Sequence, residues 1–287
     1  MPHFVHVFEA DMNLTFMTES FYGCDHTAKI RRSDEKFSYF RFIKLLHMKH
    51  LFYTAAALVL LLSACKETIH GDGPLVKQTR TPGEFAKLEL DIPAHITYIV
   101  ADSVSMTIAS EQNIIDNIIT EVDGRTLEIK SDKDLEPSRP IEIIMTIRTL
   151  EGITLNGSGK IRGINTLSGK EIRLNINGSG DIAGRFDFRM IRTEINGSGD
   201  AQLQGKCEEQ RIDINGSGNY SAEGLQSDVC KVEISGSGDA DVNVMTKLSA
   251  DVVGSGNVRY AGEPSISTNV TGSGEVKKSK VKAANGE

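Results

Sequence analysis

At 287 residues the chain has room for one large or two small domains, and 39% hydrophobic residues are enough for a packed interior. With no Trp and 6% aromatics, that interior is aliphatic. The net charge of −7, with the basic run Lys277-Lys278-Ser279-Lys280-Val281-Lys282 at the far C-terminal side, argues against nucleic acid as a partner, since phosphate binding needs a clustered Lys/Arg surface.

The first 65 residues differ in kind from the rest, holding 11 of the 17 aromatics and five of the seven histidines. Met48-Lys49-His50 is a basic start, 51–62 a largely apolar run, and Ser63-Ala64-Cys65 a small-residue ending. That succession reads as a secretory signal peptide over 48–64. Its apolar run is too short for a bilayer core that needs about 20 residues. Leu62-Ser63-Ala64-Cys65 resembles a bacterial lipobox, which makes Cys65 the lipidation site and the membrane a partner through the lipid anchor. Residues 1–47 have no place in such a leader. They are either an upstream extension from a mis-assigned start or an extended leader removed with the signal, and are set outside the fold. Lys66-Glu67 resembles the export signal of Bacteroidetes surface lipoproteins, but Thr68 stands where a second acid is usual. An outer-membrane lipoprotein, surface-exposed or periplasm-facing, is expected. Gly71, Gly73 and Pro74 make 65–80 read as a flexible tether.

The remainder, 81–282, reads as one β domain whose first part, 81–150, is a less regular cap. Alternating or β-branched runs at 88–92, 95–100, 105–108, 126–130 and 141–147 predict strands. Asn113–Ile119 carries apolar residues at helical spacing and predicts a short helix.

From 151 to 282 the chain repeats. Gly-Ser-Gly recurs at Gly157, Gly178, Gly197, Gly216, Gly236, Gly254 and Gly272, at intervals of 21, 19, 19, 20, 18 and 18 residues. Two residues before each copy stand Leu155, Ile176, Ile195, Ile214, Ile234, Val252 and Val270, all aliphatic; the residue on either side of each is polar or glycine except at Val253. Each unit therefore reads as strand, tight corner, strand and a looser return near a further glycine such as Gly163, Gly184 or Gly205. One unit cannot bury its apolar side, whereas stacked units bury all of them in a column. This predicts an all-β, β-solenoid-like stack of 18–21-residue rungs. Its structural corners are Gly157, Gly159, Gly178, Gly180, Gly197, Gly199, Gly216, Gly218, Gly236, Gly238, Gly254, Gly256, Gly272 and Gly274. A corner stacked on its neighbours leaves no room for Cβ.

Little in the body points to chemistry. It has two histidines, His70 and His95, and no H-x-x-x-H, G-x-S-x-G or C-x-x-C, so no enzyme and no cofactor is expected. The seven-fold serine reads as a turn residue. After the corners runs Lys160, Asp181, Asp200, Asn219, Asp239, Asn257 and Glu275. Asp181, Asp200 and Asp239 are candidates for a weak cation column, against the plainer reading of a solvated file whose Lys and Asn relieve charge repulsion. Asn156, Asn177, Asn196 and Asn215 predict a side-chain ladder. Cys207 and Cys230 fall out of vertical register and are expected as buried free thiols.

The I-N-G-S-G-D repeats, with G-E-F-A-K-L-E-L-D-I from Gly83 and I-T-L-N-G-S-G from Ile153, resemble the bacterial family called putative auto-transporter adhesin, head GIN domain. The resemblance covers about 80–282 and implies a right-handed β-helix-like fold on secreted or lipid-anchored proteins. It carries over no catalytic or ligand residues. The expected function is a surface module that binds extracellular glycan or protein without catalysis. The alternative is a structural or stress-related envelope scaffold with no small ligand. Edge strands at the ends leave a homo-oligomer open.

Overall fold

Alternating apolar and polar residues need a surface to pack on, and this chain supplies it by stacking its own repeats. The computed structural model describes residues 67–279, nearly all strand, wound into a β-solenoid of about seven turns. The leader, Cys65 and Lys66 lie outside the described residues.

The cap comprises β1 (Thr68–His70), β2 (Leu75–Arg80), β3 (Lys87–Leu90), β4 (Ala94–Val100), β5 (Ser105–Glu111), the helical turn α1 (Gln112–Ile115), β6 (Ile119–Asp123), β7 (Thr126–Lys130), β8 (Asp134–Glu136) and β9 (Ile141–Ile147). The stack follows with β10 (Gly152–Gly157), β11 (Lys160–Gly178), β12 (Asp181–Gly197), β13 (Asp200–Gly216), β14 (Tyr220–Gly236), β15 (Ala240–Gly254), β16 (Asn257–Ala261), β17 (Ser265–Gly272) and β18 (Glu275–Lys278). Pairing within the stack is parallel, and the corner glycines fall in one file: Gly157, Gly178, Gly197, Gly216, Gly236, Gly254, Gly272. Leu155, Ile176, Ile195, Ile214, Ile234 and Val252 are buried beneath it. Each such side chain contributes about 1.5–3 kcal/mol by leaving water.

Three expectations need correction. The residues expected as a tether are paired from Thr68 onward: β1 runs parallel to β8 and β2 antiparallel to β5. Ile69 and Val76 pack against the core. Asn113 accepts from the Asp72 N–H (3.1 Å) and donates to the His70 carbonyl (2.7 Å). Arg80 donates to the carbonyls of Ile115 (3.1 Å) and Ile118 (2.7 Å), closing the end of α1. The predicted helix shrinks to that one turn. Ile114, Ile115 and Ile118 are buried as their spacing implies, while Ile119 opens β6. The returns, finally, are not loops. β11 to β14 run from one corner to the next, and register shifts such as those between Arg162 and Thr166 or Gln202 and Gln204 absorb the unequal repeat lengths.

Candidate functional site

The corners are built from backbone alone. Gly197 has φ 133°, and a Cβ there would overlap the carbonyl of Gly178 one rung away. Gly199 faces inward, where a Cβ would lie 2.6 Å from Ile176. Ser198 and Gly199 both donate N–H groups to the Gly178 carbonyl, at 2.8 and 3.0 Å, and the next corner repeats this with Ser217 and Gly218 on Gly197. The serine hydroxyl has no part in these bonds, and the corner glycines shape the edge through backbone alone.

Beside the corners the asparagine ladder forms. Asn177 donates to Asn156 (2.9 Å), Asn196 to Asn177 (3.1 Å) and Asn215 to Asn196 (3.1 Å), and Asn156 ends the chain on Asp91 (2.6 Å). On the far side of the corner, the three aspartates already have partners. Asp181 pairs with Lys160 (2.8 Å), and Asp200 accepts the Asn219 N–H (3.0 Å) and side-chain amide (2.9 Å). Asp239 accepts twice from Asn257 (2.9 Å each) and once from Arg259 (3.1 Å). Burial pushes Asp239 up, but these donors outweigh it and hold the carboxyl below its usual range. Asp181 and Asp200 are register neighbours, while Asn219 stands between Asp200 and Asp239. Among the described residues no three His, Cys, Asp or Glu side chains are grouped to hold a metal ion. The file is stitched by alternating acids with Lys, Asn and Arg.

A feature with no motif lies at the second bend of each rung. In β12 the inward positions are Phe186 and Phe188, then Ile191 and Thr193, so parity changes and the chain turns at Arg189. The same break falls near Lys170, Glu208 and Asp228 in neighbouring rungs, and all four side chains project to solvent. Two adjoining depressions of about 550 and 450 Å³ follow this bend and share Gly169, Lys170 and Phe188. Phe188 is 3% exposed and floors them, because a Cβ on Gly169 would lie 2.6 Å from its ring. The walls carry both signs. Lys206 pairs with Asp187 (3.4 Å), Arg189 with Glu208 (3.6 Å), and Glu171 with Arg192 (2.9 Å) and Arg173 (3.4 Å). The hydrogen bond from Arg192 holds Glu171 below the ordinary glutamate range. Exposed pairs of this kind are each worth at most about 1 kcal/mol, so a charged ligand can displace them.

Cys207 lines the groove at 8% exposure, and burial pushes its thiol up to about 12, which keeps it protonated at neutral pH. Cys207 and Cys230 are both free and buried, with Cys230 in register with Gln210, three positions from Cys207. His95 pairs with Glu142 (3.2 Å) and His70 with Glu136 (2.9 Å), and neither lines the groove.

The sequence of 84–264 matches the family model for putative auto-transporter adhesin, head GIN domain. The chain belongs to this family. The GIN-domain fold also appears in solved structures that this chain resembles. A putative adhesin from Bacteroides fragilis is 25% identical with a TM-score of 0.69, the match covering 73% of this chain and 99% of that one. A putative lipid binding protein from Parabacteroides distasonis is 23% identical with a TM-score of 0.64, covering 75% and 100%. A putative adhesin from the same organism is 22% identical with a TM-score of 0.63, covering 74% and 100%. Among curated proteins no sequence matches. For this GIN-domain protein the family supports an adhesin-like module of the cell surface or envelope.

Proposed function

We propose that this protein is a lipid-anchored envelope module that binds an extracellular glycan or protein along the groove at the second bend and has no catalytic activity. The observation that carries the reading is the groove itself. It crosses four rungs, its floor is a buried ring, and its walls are loosely paired charges rather than a sealed core. At the bend itself the outward file runs Lys170, Arg189, Glu208, Asp228, basic then acidic, between walls that also carry Glu151, Glu171, Asp187 and Lys206. An extended ligand with separated charges fits that order. Lipidation at Cys65 would hold the module on the outer membrane, facing the surface or the periplasm.

The test uses the full chain in detergent against an array of glycans and extracellular proteins. Binding is expected, weakened by salt, and lost in Lys170→Glu/Arg189→Glu, whose positions are exposed and leave the fold intact. An empty array would favour the scaffold reading, to which the burial of Phe188 lends support, since sugar binding often uses an exposed ring. Cys65→Ala tests the anchor separately. It should release the protein from membranes and prevent incorporation of labelled fatty acid.

A further inference from the structure

The two ends of the solenoid differ. At the cap end α1 closes the core with Ile114 and Ile115, while β6 folds back antiparallel on β7 and β2 on β5. At the other end, β17 pairs only with β15 and β18 only with β16 among the described residues. All eight residues of β17 are exposed. Ile266 and Val270 are 45% and 39% exposed, although they continue files whose previous members, Leu248 and Val252, are fully buried. Among the described residues the core thus ends on an open strand with a free row of N–H and C=O groups. Folded proteins ordinarily blunt such an edge with charge, proline or a bulge.

β17 does the reverse. The rung beneath it presents Lys247, Ser249 and Asp251 outward, and the register carries these files to Ser265, Ser267 and Asn269. β17 itself carries no charge: its outward file passes from Glu194, Asp213, Glu233 and Asp251 to Asn269, as it also falls neutral at Thr154 and Asn175 on the cap side. The inward residues Ile266, Thr268 and Val270 are symmetric about Thr268. An antiparallel pairing centred there keeps the inward side inward, sets Ile266 against Val270 of a second copy, and brings the two Thr268 together. The other strand of this last layer, Glu275-Val276-Lys277-Lys278, when laid antiparallel on itself about Val276 sets Glu275 opposite Lys277, an attractive pairing. A two-fold axis normal to the sheets reverses the direction of both strands at once.

We propose that two copies of this chain join end to end about such an axis, β17 pairing with β17 and β18 with β18. This interface uses no residue of the groove, so it stands independently of the ligand-binding reading.

Thr268→Cys in the full chain tests it directly. Opposed residues at the centre of an antiparallel pair have Cα atoms about 4.5–5.5 Å apart, within disulfide reach. Mild oxidation should give a dimer on non-reducing gels, absent from Ser237→Cys, which carries the same native cysteines and an added exposed thiol at a corner. Asn269→Lys places a charge on an outward, exposed position and should raise the dimer dissociation constant at least about tenfold, with circular dichroism and melting temperature of the monomer unchanged. Removing 280–287 should leave the dimer intact. A wild-type chain that sediments as a monomer throughout the micromolar range overturns the proposal, as does a Thr268→Cys chain that fails to cross-link. Dimerisation seen only after removing 280–287 also overturns it, assigning the edge to the chain's own C-terminal residues.

Discussion

Gly197 and Ser198 are neighbours in the same corner, yet they bear opposite loads. Gly197 sits at φ 133° against the backbone of Gly178, whereas Ser198 is exposed and donates through its backbone only. Gly197→Val combines backbone strain with a clash that cannot relax without parting two rungs, and should cost at least about 2–3 kcal/mol. Ser198→Val should stay within about 0.5 kcal/mol. Thermal melts of the two variants should therefore separate by well over five degrees, and coincident melts would remove the backbone account of the corner. A different residue-scale tension sits at Tyr98. Its ring fills space left by Gly163 and Gly184, but its buried hydroxyl has no hydrogen-bond partner among the described residues and burial raises its pKa. Tyr98→Phe removes the unpaired group without changing shape, so the protein should be as stable as wild type or more so, by up to about 1 kcal/mol. A clear loss of stability in urea titrations would mean that the hydroxyl is satisfied.

At the scale of strands, the cap is held by a buried acid. Glu111 is 1% exposed and accepts from the Ser138 hydroxyl, the Ser138 N–H (3.2 Å) and the Ser110 hydroxyl (3.0 Å). The Ser138 hydroxyl is the chief reason that its pKa falls below the ordinary 4.5, against the opposing pull of burial. With the folded pKa depressed, the unfolded chain takes up the proton first. Glu111 therefore stabilises the cap fully above about pH 5, and the effect fades as pH falls through the folded value. Amide protection factors in β1 and β2, taken against the intrinsic rate at each pH, should fall between about pH 5 and 3 in wild type, and much less in Glu111→Gln, whose cap is already weakened at neutral pH. An equal acid response in the two chains would dismiss Glu111 as the titrating group. The same elements show what a sequence does and does not carry. The corner file, the inward columns and the asparagine ladder were legible because each repeats one residue type at one spacing. The second bend was not, because Lys170, Arg189, Glu208 and Asp228 share a position but no chemistry, and only the parity change from Phe188 to Ile191 marks it. β2 escaped notice because its order comes from pairing with β5, about thirty residues on, rather than from its own polar pattern. Val270 matches its column in sequence, and nothing in its identity tells that the column stops being covered there.

For the whole molecule, the direction of the stack matters as much as its surface. Glu67 accepts from the Asp134 N–H (3.0 Å), so only Lys66 separates Cys65 from a hydrogen-bonded residue. A lipid at Cys65 would hold the cap end within about 7 Å of chain from the bilayer, with no long tether to let the domain turn over. β17, through β15 to β6, lies at the opposite end of a file of ten strands. At about 4.8 Å per strand that file is about 45 Å long. Were Cys65 lipidated and two copies joined at β17 as proposed above, the two Glu67 ends would stand at opposite ends of a pair of files about 90 Å long in all, a geometry that would suit facing membranes and oppose pairing within one. Vesicles bearing the lipidated chain should accordingly cluster, with turbidity rising as protein density rises. Asn269→Lys vesicles should stay dispersed, while Lys170→Glu/Arg189→Glu vesicles cluster like wild type because the groove is not used. If the Thr268→Cys dimer forms readily within single vesicles and no clustering occurs, the cap end is not tethered closely to the membrane, and the attachment at Cys65 rather than the strand pairing is what must be revised.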